Sequence, residues 1–287
     1  MQRRPQPLTH GAMLEVAEKR EVSQSSFAFG ETRLRFESAD RTWLSYLDRR
    51  YRRFSISPGN ESFVVSFEPT SLPLPPNLVS PLAAHLEAVH CEPTPGGYRV
   101  RTETSGCEID LRSRRAILRG PSALYPLDNV LRHLLPLLWE EGLIVHSALV
   151  ADDAESGVLA CGPSGAGKST IARLARGRAL SDELAAVKLE ERQTIGVALP
   201  FWESRPGRAR LRAVLHLGHG ASHRLERLLP EEALRRLATQ VLWPVWDEPA
   251  MARSFAYLTE LAETVPAFDL SFTPTEDVWD FIDKEVS

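Results

Sequence analysis

Residues 156–176, SGVLACGPSGAGKSTIARLAR, decide the fold class of this 287-residue chain. Four apolar residues, 158–161, have the length and composition of a buried strand and run directly into a glycine-rich segment. Beyond it, apolar side chains recur at helical spacing, which predicts an amphipathic helix over residues 168–176 that ends at Gly177. A strand followed by a tight loop and a helix is a building unit of α/β domains.

The segment between this strand and helix matches the phosphate-binding pattern G-x-x-x-x-G-K-[ST], from Gly162 to Ser169. Its glycines let the backbone curl so that successive amides face one anion, and the helix N-terminus adds a positive dipole. Lys168 is expected to reach the β- and γ-phosphates, and the Ser169 hydroxyl to be a ligand of Mg²⁺. We therefore expect a P-loop of the Walker A type that binds ATP with Mg²⁺. The expected nucleotide-binding residues are Gly162, Pro163, Ser164, Gly165, Ala166, Gly167, Lys168, Ser169 and Thr170.

Composition and missing motifs argue against several other classes of protein. A net charge of -4 provides no basic excess for nucleic acid, and no apolar run approaches the roughly 18 residues that a membrane span needs. The three cysteines form no C-x-x-C pair, which favours a reducing compartment, and residues 1–16 have no signal-peptide pattern. We expect a cytoplasmic protein. The chain also lacks the N-K-x-D motif of GTPases and the L-S-G-G-Q motif of ABC-type ATPases.

Two groups of polar residues flank the loop in the sequence. His146 lies in an apolar run of strand length, 143–150, and Asp182-Glu183 follows a short strand-like piece after the loop helix. Because strand carboxyl ends line the ligand crevice of an open α/β sheet, an acidic pair there can bind metal or accept a proton from a hydroxyl. A histidine in a strand is more often a partly buried structural residue than an active-site residue, so the strand pattern alone favours a structural role for His146. A solvated turn is the alternative for the acidic pair, whose place after the loop helix favours function.

Other polar residues carry weaker signals. The arginines at 205, 208, 210 and 212 could clamp phosphates, but the pattern favours a solvated, charged strand edge. His216, His219 and His223 flank a loop, and their spacing lies outside a helix that also carries a carboxylate. We therefore do not expect a metal site at these histidines.

Hydrophobic patterning divides the chain into two predicted domains. Residues 1–124 are β-rich, with strand-like alternation over 26–36 and 63–67 followed by a meander of three short strands, which predicts an α+β recognition domain. Residues 125–287 are expected to form the α/β catalytic domain.

Helix signals are clearest in the second predicted domain. The pattern predicts a helix over residues 124–141, with Gly142 as its C-terminal cap. Further along, Pro230 is expected to begin one helix and Asp247 to cap another. The motif Thr273-Pro274-Thr275-Glu276 has the start signal of a final helix.

The stretch IVHSALVADDAESGVLACGPSGAGKSTIARLARGRALSDELAAV, residues 144–187, resembles the catalytic core of the HPr kinase/phosphorylase family. It is most similar to the shorter HPr-kinase-related bacterial serine kinases of that group. The resemblance implies a P-loop kinase domain related in fold to phosphoenolpyruvate carboxykinase. It also implies ATP and Mg²⁺ as cofactors, and assembly into a homo-oligomer.

Five residues of this chain match the family's functional positions. His146 matches the active-site histidine, Lys168 the loop lysine, and Ser169 the Mg²⁺ ligand. Asp182 resembles the carboxylate that acts as general base on the acceptor serine and lies near the metal. Glu183 occupies the second acidic position, where the true HPr kinases have aspartate.

The chain also departs from the family. The spacing from Lys168 to Asp182 is shorter than in the true enzymes, and the segment 203–207 is only a loose echo of their E-x-R-G-x-G signature. That weakens any assignment of Glu203 to a second metal, and any expectation of the reverse, phosphorylase reaction. Nothing in the N-terminal part indicates HPr as the partner.

These observations predict a kinase that transfers the γ-phosphoryl group of ATP to a serine hydroxyl of a protein or peptide. In this mechanism Asp182 accepts the proton while Lys168, Mg²⁺ and His146 stabilise charge. The choice of a serine acceptor rests on the family resemblance. The alternatives are a small-molecule kinase that acts on a free hydroxyl metabolite, and a non-catalytic, nucleotide-gated binding or maturation protein.

Overall fold

The computed structural model describes residues 22–70, 88–121, 126–138, 142–152, 156–201, 203–244 and 247–286. These residues form a mixed α/β structure with two large sheets. The strands are β1 Ser23–Phe29, β2 Thr32–Ser38, β3 Phe63–Pro69, β4 His90–Thr94, β5 Gly97–Arg101, β6 Gly106–Asp110, β7 Arg115–Gly120, β8 Gly142–Ala151, β9 Ser156–Cys161, β10 Ala179–Ser181, β11 Leu184–Glu190, β12 Gln193–Ala198, β13 Arg208–His219, β14 Arg224–Arg227 and β15 Ala267–Phe272. The helices are α1 Arg41–Arg50, α2 Pro126–Leu138, α3 Lys168–Leu174, α4 Pro230–Ala238, α5 Glu248–Thr264 and α6 Val278–Glu285.

The first sheet contains β1 to β7 in the order β1-β2-β3-β7-β6-β5-β4. β3 runs parallel to both of its neighbours, and the other pairings are antiparallel. Alternating residues of β1 and β2 bury large aromatic side chains, as strands with one face on a core do. Helix α1 covers this face, and its Trp43 stacks on Phe67 with ring centroids 4.5 Å apart. Asp40 caps α1 by accepting hydrogen bonds from the amides of Thr42 and Trp43.

The second sheet closes on itself. β8 pairs with β11, β11 with β12, β12 with β13, β13 with β9, and β9 again with β8. β10 extends the sheet beside β8, and β15 and β14 extend it beside β13. The strand that leads into the predicted phosphate loop, β9, is thus hydrogen-bonded on both sides. Its partners run in opposite directions, β13 parallel and β8 antiparallel.

Helix α2 joins the two sheets in one hydrophobic core. Its leucines 131, 134 and 135 are fully buried and belong to the same apolar cluster as the aromatic residues of the first sheet. That cluster continues into the second sheet through Ile144, Leu184 and Phe201. Helices α4 and α5 cover a second cluster, and α3 and α6 a third. The boundary at residues 124 and 125 stays a prediction.

Most predicted elements agree with the structure, and three details differ. The alternation over 26–36 belongs to a hairpin of β1 and β2, which turns at Gly30 with φ of 63°. Gly142 does not cap α2, because it is the first residue of β8 and pairs with Lys188. The ends of the helix predicted over 124–141 lie outside the described residues.

The third difference concerns the last helix. Helix α6 begins at Val278, not at the predicted Thr273-Pro274 start signal. The Thr273 hydroxyl donates to the carbonyl of Gly220 at 3.0 Å, so it ties two loops together instead of capping a helix. Helices α4 and α5 begin as predicted, at Pro230 and after the cap Asp247.

Candidate functional site

The predicted phosphate loop connects the end of β9 to the start of α3. Gly162, Gly165 and Gly167 have φ values of 156°, 82° and 102°, in the region that side chains other than glycine disfavour. Gly167 also meets a steric limit, because a Cβ there would lie 2.8 Å from the ring of Phe272. The sequence motif is therefore matched by a backbone that only these glycines can adopt comfortably.

The loop presents hydrogen-bond donors at its mouth. The amides of Ser164, Gly165 and Gly167 donate to no acceptor within the described part of the chain. The Lys168 side chain is buried and its Nζ donates to the carbonyls of Gly162 at 2.7 Å and Pro163 at 3.1 Å. Burial lowers the pKa of Lys168. A concave set of amides beside a buried ammonium group is an arrangement suited to an anion.

His146 lies on β8 beside this loop. Its neighbour Ser147 pairs with Cys161, the last strand residue before the loop, and the His146 amide donates to Gln240 at 2.7 Å. Burial, together with the charges of Lys168 and Arg132, lowers the pKa of His146 to about 4. The imidazole is therefore neutral at pH 7. The structure brings it near the loop lysine, and its catalytic role stays a prediction.

Asp182 directly follows β10 and lies beside the loop helix. Its carboxylate is close enough to the Ser169 hydroxyl and to the backbone amide of Glu203 for both to act on its pKa. One carboxylate oxygen, Oδ1, is buried and has no hydrogen-bond partner among the residues that the structure describes. Burial raises the pKa of Asp182, and the nearby Glu203 charge raises it too. A buried carboxylate oxygen without a donor is an acceptor that a proton or a cation could satisfy.

Glu183 belongs to a different set of contacts from its neighbour. Its Oε1 forms an ion pair with the Arg132 guanidinium of α2 at 2.8 Å, and its carbonyl accepts the Ser147 amide at 2.9 Å. Arg132 also lies over the ring of Phe201, with its Cζ 5.4 Å from the centroid. The two adjacent acidic residues thus have different neighbours: Asp182 lies beside Ser169 of the loop helix, and Glu183 pairs with Arg132 of α2.

The histidines and arginines noted in the sequence take varied positions. The His219 ring lies 2.9 Å from the Gly165 carbonyl and so contacts the loop, whereas His223 contacts Asp277 at 3.3 Å. Arg205 donates to the carbonyls of Gly177 and Ala179, which fixes the turn after α3. Two further arginines pair with acidic side chains: Arg208 with Glu190 and Glu31, and Arg212 with Asp283 and Asp152.

Sequence reasoning missed Arg132 as a member of the site. It is separated from Glu183 by 51 residues, and only the packing of α2 against the second sheet brings the two together. One signal was present: a basic residue within the apolar run VLRHLLPLL, between buried leucines. Glu203, considered only as an echo of a family signature, lies beside Asp182.

The oxygen ligands of this site fit a magnesium ion. Mg²⁺ prefers carboxylate, hydroxyl and phosphate oxygens, and it usually takes one or two protein ligands in nucleotide sites. Asp182, with its unpartnered Oδ1, and the Ser169 hydroxyl provide two such ligands beside the loop. When bound, the ion would offset the negative charge of the phosphates. The glycine cradle and Lys168 would hold the phosphates themselves.

Comparison with known proteins gives no match in sequence and a distant similarity to solved structures. No family model matches the sequence, and no curated protein sequence matches it. Among solved structures, the chain is similar to the Hpr(Ser) kinase/phosphatase from Coxiella burnetii over 50% of this chain and 91% of that chain. The sequence identity is 14% and the TM-score is 0.28. None of the helices in the described ranges is long and apolar enough to cross a membrane.

Proposed function

We propose that this chain is an ATP-dependent kinase that transfers the γ-phosphoryl group to the serine hydroxyl of a protein or peptide. The observation that carries the proposal is the position of Asp182, whose buried carboxylate has an unpartnered Oδ1 and lies beside Ser169, the last residue of the loop motif. A carboxylate beside a phosphate-binding loop is what a kinase needs to accept the proton of an incoming hydroxyl. The serine acceptor follows from the family resemblance alone.

In this reaction Asp182 acts as the general base. The acceptor oxygen bonds to the γ-phosphorus, its proton passes to the Asp182 carboxylate, and ADP leaves. Because burial raises the pKa of Asp182, the carboxylate is a stronger base than an exposed aspartate. The loop amides and Lys168 orient the phosphates and stabilise their charge, which is the main contribution a protein makes to phosphoryl transfer.

The proposed role of His146 is that of a neutral hydrogen-bonding group. Since its pKa lies at about 4, the ring carries no charge at neutral pH and cannot stabilise a phosphoryl group as a cation. We propose that it contributes a hydrogen bond from the neutral ring beside Lys168. The first sheet and α1 are proposed as the part that recognises the acceptor.

The test separates proton transfer from nucleotide binding. Asp182→Asn keeps the shape of the side chain but cannot accept a proton at neutral pH. We expect its affinity for ATP to stay close to that of the wild type, and its transfer rate to fall by roughly 10²–10⁴-fold. The assay is transfer of radiolabelled phosphate from ATP into candidate proteins, peptides and free serine, with titration calorimetry in parallel.

The matched control is Glu183→Gln, the same change at the adjacent position. Because Glu183 pairs with Arg132 and not with Ser169, it should lower the transfer rate less than Asp182→Asn does. A large loss of ATP·Mg²⁺ affinity in Asp182→Asn would make Asp182 chiefly a metal ligand. Transfer to free serine alone would favour a small-molecule kinase. Tight ATP binding with no transfer to any hydroxyl would favour the nucleotide-gated binding protein.

A further inference from the structure

Arg132 is a partly buried cation with hydrogen-bonding capacity left over. Its side chain is 24% exposed, and the Glu183 side chain 16%. The ion pair uses one terminal nitrogen of the guanidinium. The Nε group is buried and has no hydrogen-bond partner in the described ranges. A guanidinium carries five N–H donors, so this pair leaves several of them available for another anion.

The strand register places Arg132 beside the phosphate loop. Its partner Glu183 accepts the Ser147 amide through its carbonyl, and Ser147 pairs across β8 and β9 with Cys161. Cys161 is the residue immediately before the loop. His146, the neighbour of Ser147, is close enough to both Arg132 and Lys168 for each charge to lower its pKa. Arg132 and Lys168 therefore approach one point from two directions, α2 and the loop.

We propose that Arg132 contacts the terminal phosphate of ATP, and that Glu183 competes with this phosphate for the same guanidinium. The inference rests on the proposed nucleotide site. Lys168 belongs to the loop, and we expect it to contact the β- and γ-phosphates. Arg132 comes from the side where Asp182 and Glu183 lie, which is where the terminal phosphate must meet the acceptor. A planar guanidinium suits a phosphate because it can donate two parallel hydrogen bonds.

The consequence is discrimination between ATP and ADP. ADP lacks the phosphate that Arg132 would contact, so loss of the guanidinium should affect only ATP binding. A hydrogen bond to a charged group is worth about 10- to 100-fold in affinity. We therefore expect Arg132→Met to weaken ATP by roughly that factor and to leave ADP within about twofold. Glu183→Gln removes the competing anion and should strengthen ATP while leaving ADP unchanged.

The experiment is titration calorimetry with Mg·ATP and Mg·ADP on the full chain. The variants are Arg132→Met, Arg132→Lys and Glu183→Gln. The matched control is Arg178→Met, because Arg178 also pairs with a carboxylate, Asp283 at 2.9 Å, and also lies over a ring, Trp279 at 4.8 Å. This control should keep the wild-type ratio of ATP to ADP affinity.

Each result decides the proposal. An equal loss of ATP and ADP affinity in Arg132→Met, or no loss at all, overturns it. If Arg132→Met does not fold, Arg132→Lys decides: it keeps the charge but not the planar fork, and should still lower the ATP to ADP ratio. An unchanged ratio in Arg132→Lys together with no gain in Glu183→Gln would overturn the proposal. A wild type that binds neither nucleotide would instead contradict the proposed nucleotide site.

Discussion

The two sheets of this protein bury different kinds of side chain. The core of the first sheet is built from large aromatic rings, and its charged residues form ion pairs on the outer face, such as Arg119 with Glu68 and Glu108. The second sheet has cores rich in alanine and small aliphatic residues. In and beside this sheet, Lys168 and His216 are buried, and His146 and Asp182 are partly buried.

This difference indicates that the first sheet mainly stabilises the fold, whereas the second sheet holds ionisable side chains that are suited to binding and catalysis. Removing an ionisable group from water is unfavourable unless it is paired, so a fold that buries several such groups gives up stability. Groups with perturbed pKa values beside a cleft are candidates for function. The second sheet gathers them around one loop, whereas the first sheet keeps its charged residues near solvent, where such pairs contribute little.

The largest effect is expected from the aromatic core of the first sheet. Trp43 is 2% exposed and stacks on Phe67. Trp43→Ala should lower the free energy of unfolding by about 3–5 kcal/mol, because it leaves a cavity in a packed core. Urea denaturation followed by fluorescence measures this. Nucleotide affinity, measured under conditions where the variant is folded, should not change, and a parallel loss would show that the two sheets are coupled.

A smaller effect is expected from Lys168→Ala, and it concerns nucleotide affinity instead of the free energy of unfolding. The loss of a charged hydrogen bond to phosphate should weaken ATP binding by about 1.5–3 kcal/mol. The free energy of unfolding should fall little, because the buried ammonium is itself unfavourable, as the lowered pKa indicates. Titration calorimetry with ATP and Mg²⁺ tests the first part. Lys188→Ala, in β11, is the control, and unchanged affinity in a folded Lys168→Ala variant would contradict the phosphate loop.

The smallest of the three effects depends on pH. Burial and, to a smaller extent, the charge of Arg236 lower the pKa of His216 to about 4, while Asp269 and Glu232 oppose the shift. The unfolded chain has the ordinary value near 6.5, so it binds more protons than the folded chain below that pH. Stability linked to His216 is therefore complete above about pH 6.5 and is lost as the pH falls toward 4, by roughly 2 kcal/mol at pH 5.

Denaturation curves between pH 7 and pH 4.5 test this dependence. His216→Gln removes the titrating group, so its unfolding free energy should fall less steeply with decreasing pH than that of the wild type. His90→Gln, at an exposed position of β4, controls for the loss of an imidazole as such. Parallel slopes for the wild type and His216→Gln would show that His216 is not held neutral by the fold.

The sequence predicted the strand, the glycine-rich loop and the helix of this unit because the whole unit is contiguous. β9, the glycines and α3 follow one another within residues 156–174, so local pattern and local structure coincide. Asp182, which lies beside Ser169, is also close to it in the sequence. Arg132 could not be predicted in the same way, since its place depends on how α2 packs between the sheets.

Two helix starts also show how far local sequence signals predict the structure. Helix α1 had a local signal that was not used, the cap residue Asp40 before Arg41. For α6 the local signal was present but misleading. The Thr273 hydroxyl has a distant acceptor in Gly220, and this contact displaces the helix start to Val278. A capping motif predicts a helix only where no tertiary partner competes for the same side chain.

The closed ring of five strands has a mechanical consequence. β9 is enclosed by β8 and β13, so it cannot slide or tilt without breaking hydrogen bonds on both edges. The base of the loop is therefore held on both edges, and we expect the strand amides there to be among those most protected from hydrogen exchange. Any adjustment to a bound molecule has to come from the parts outside the ring. Those parts are α2, which carries Arg132, and the segment that contains Glu203. Both would move toward the loop while β9 stays in place.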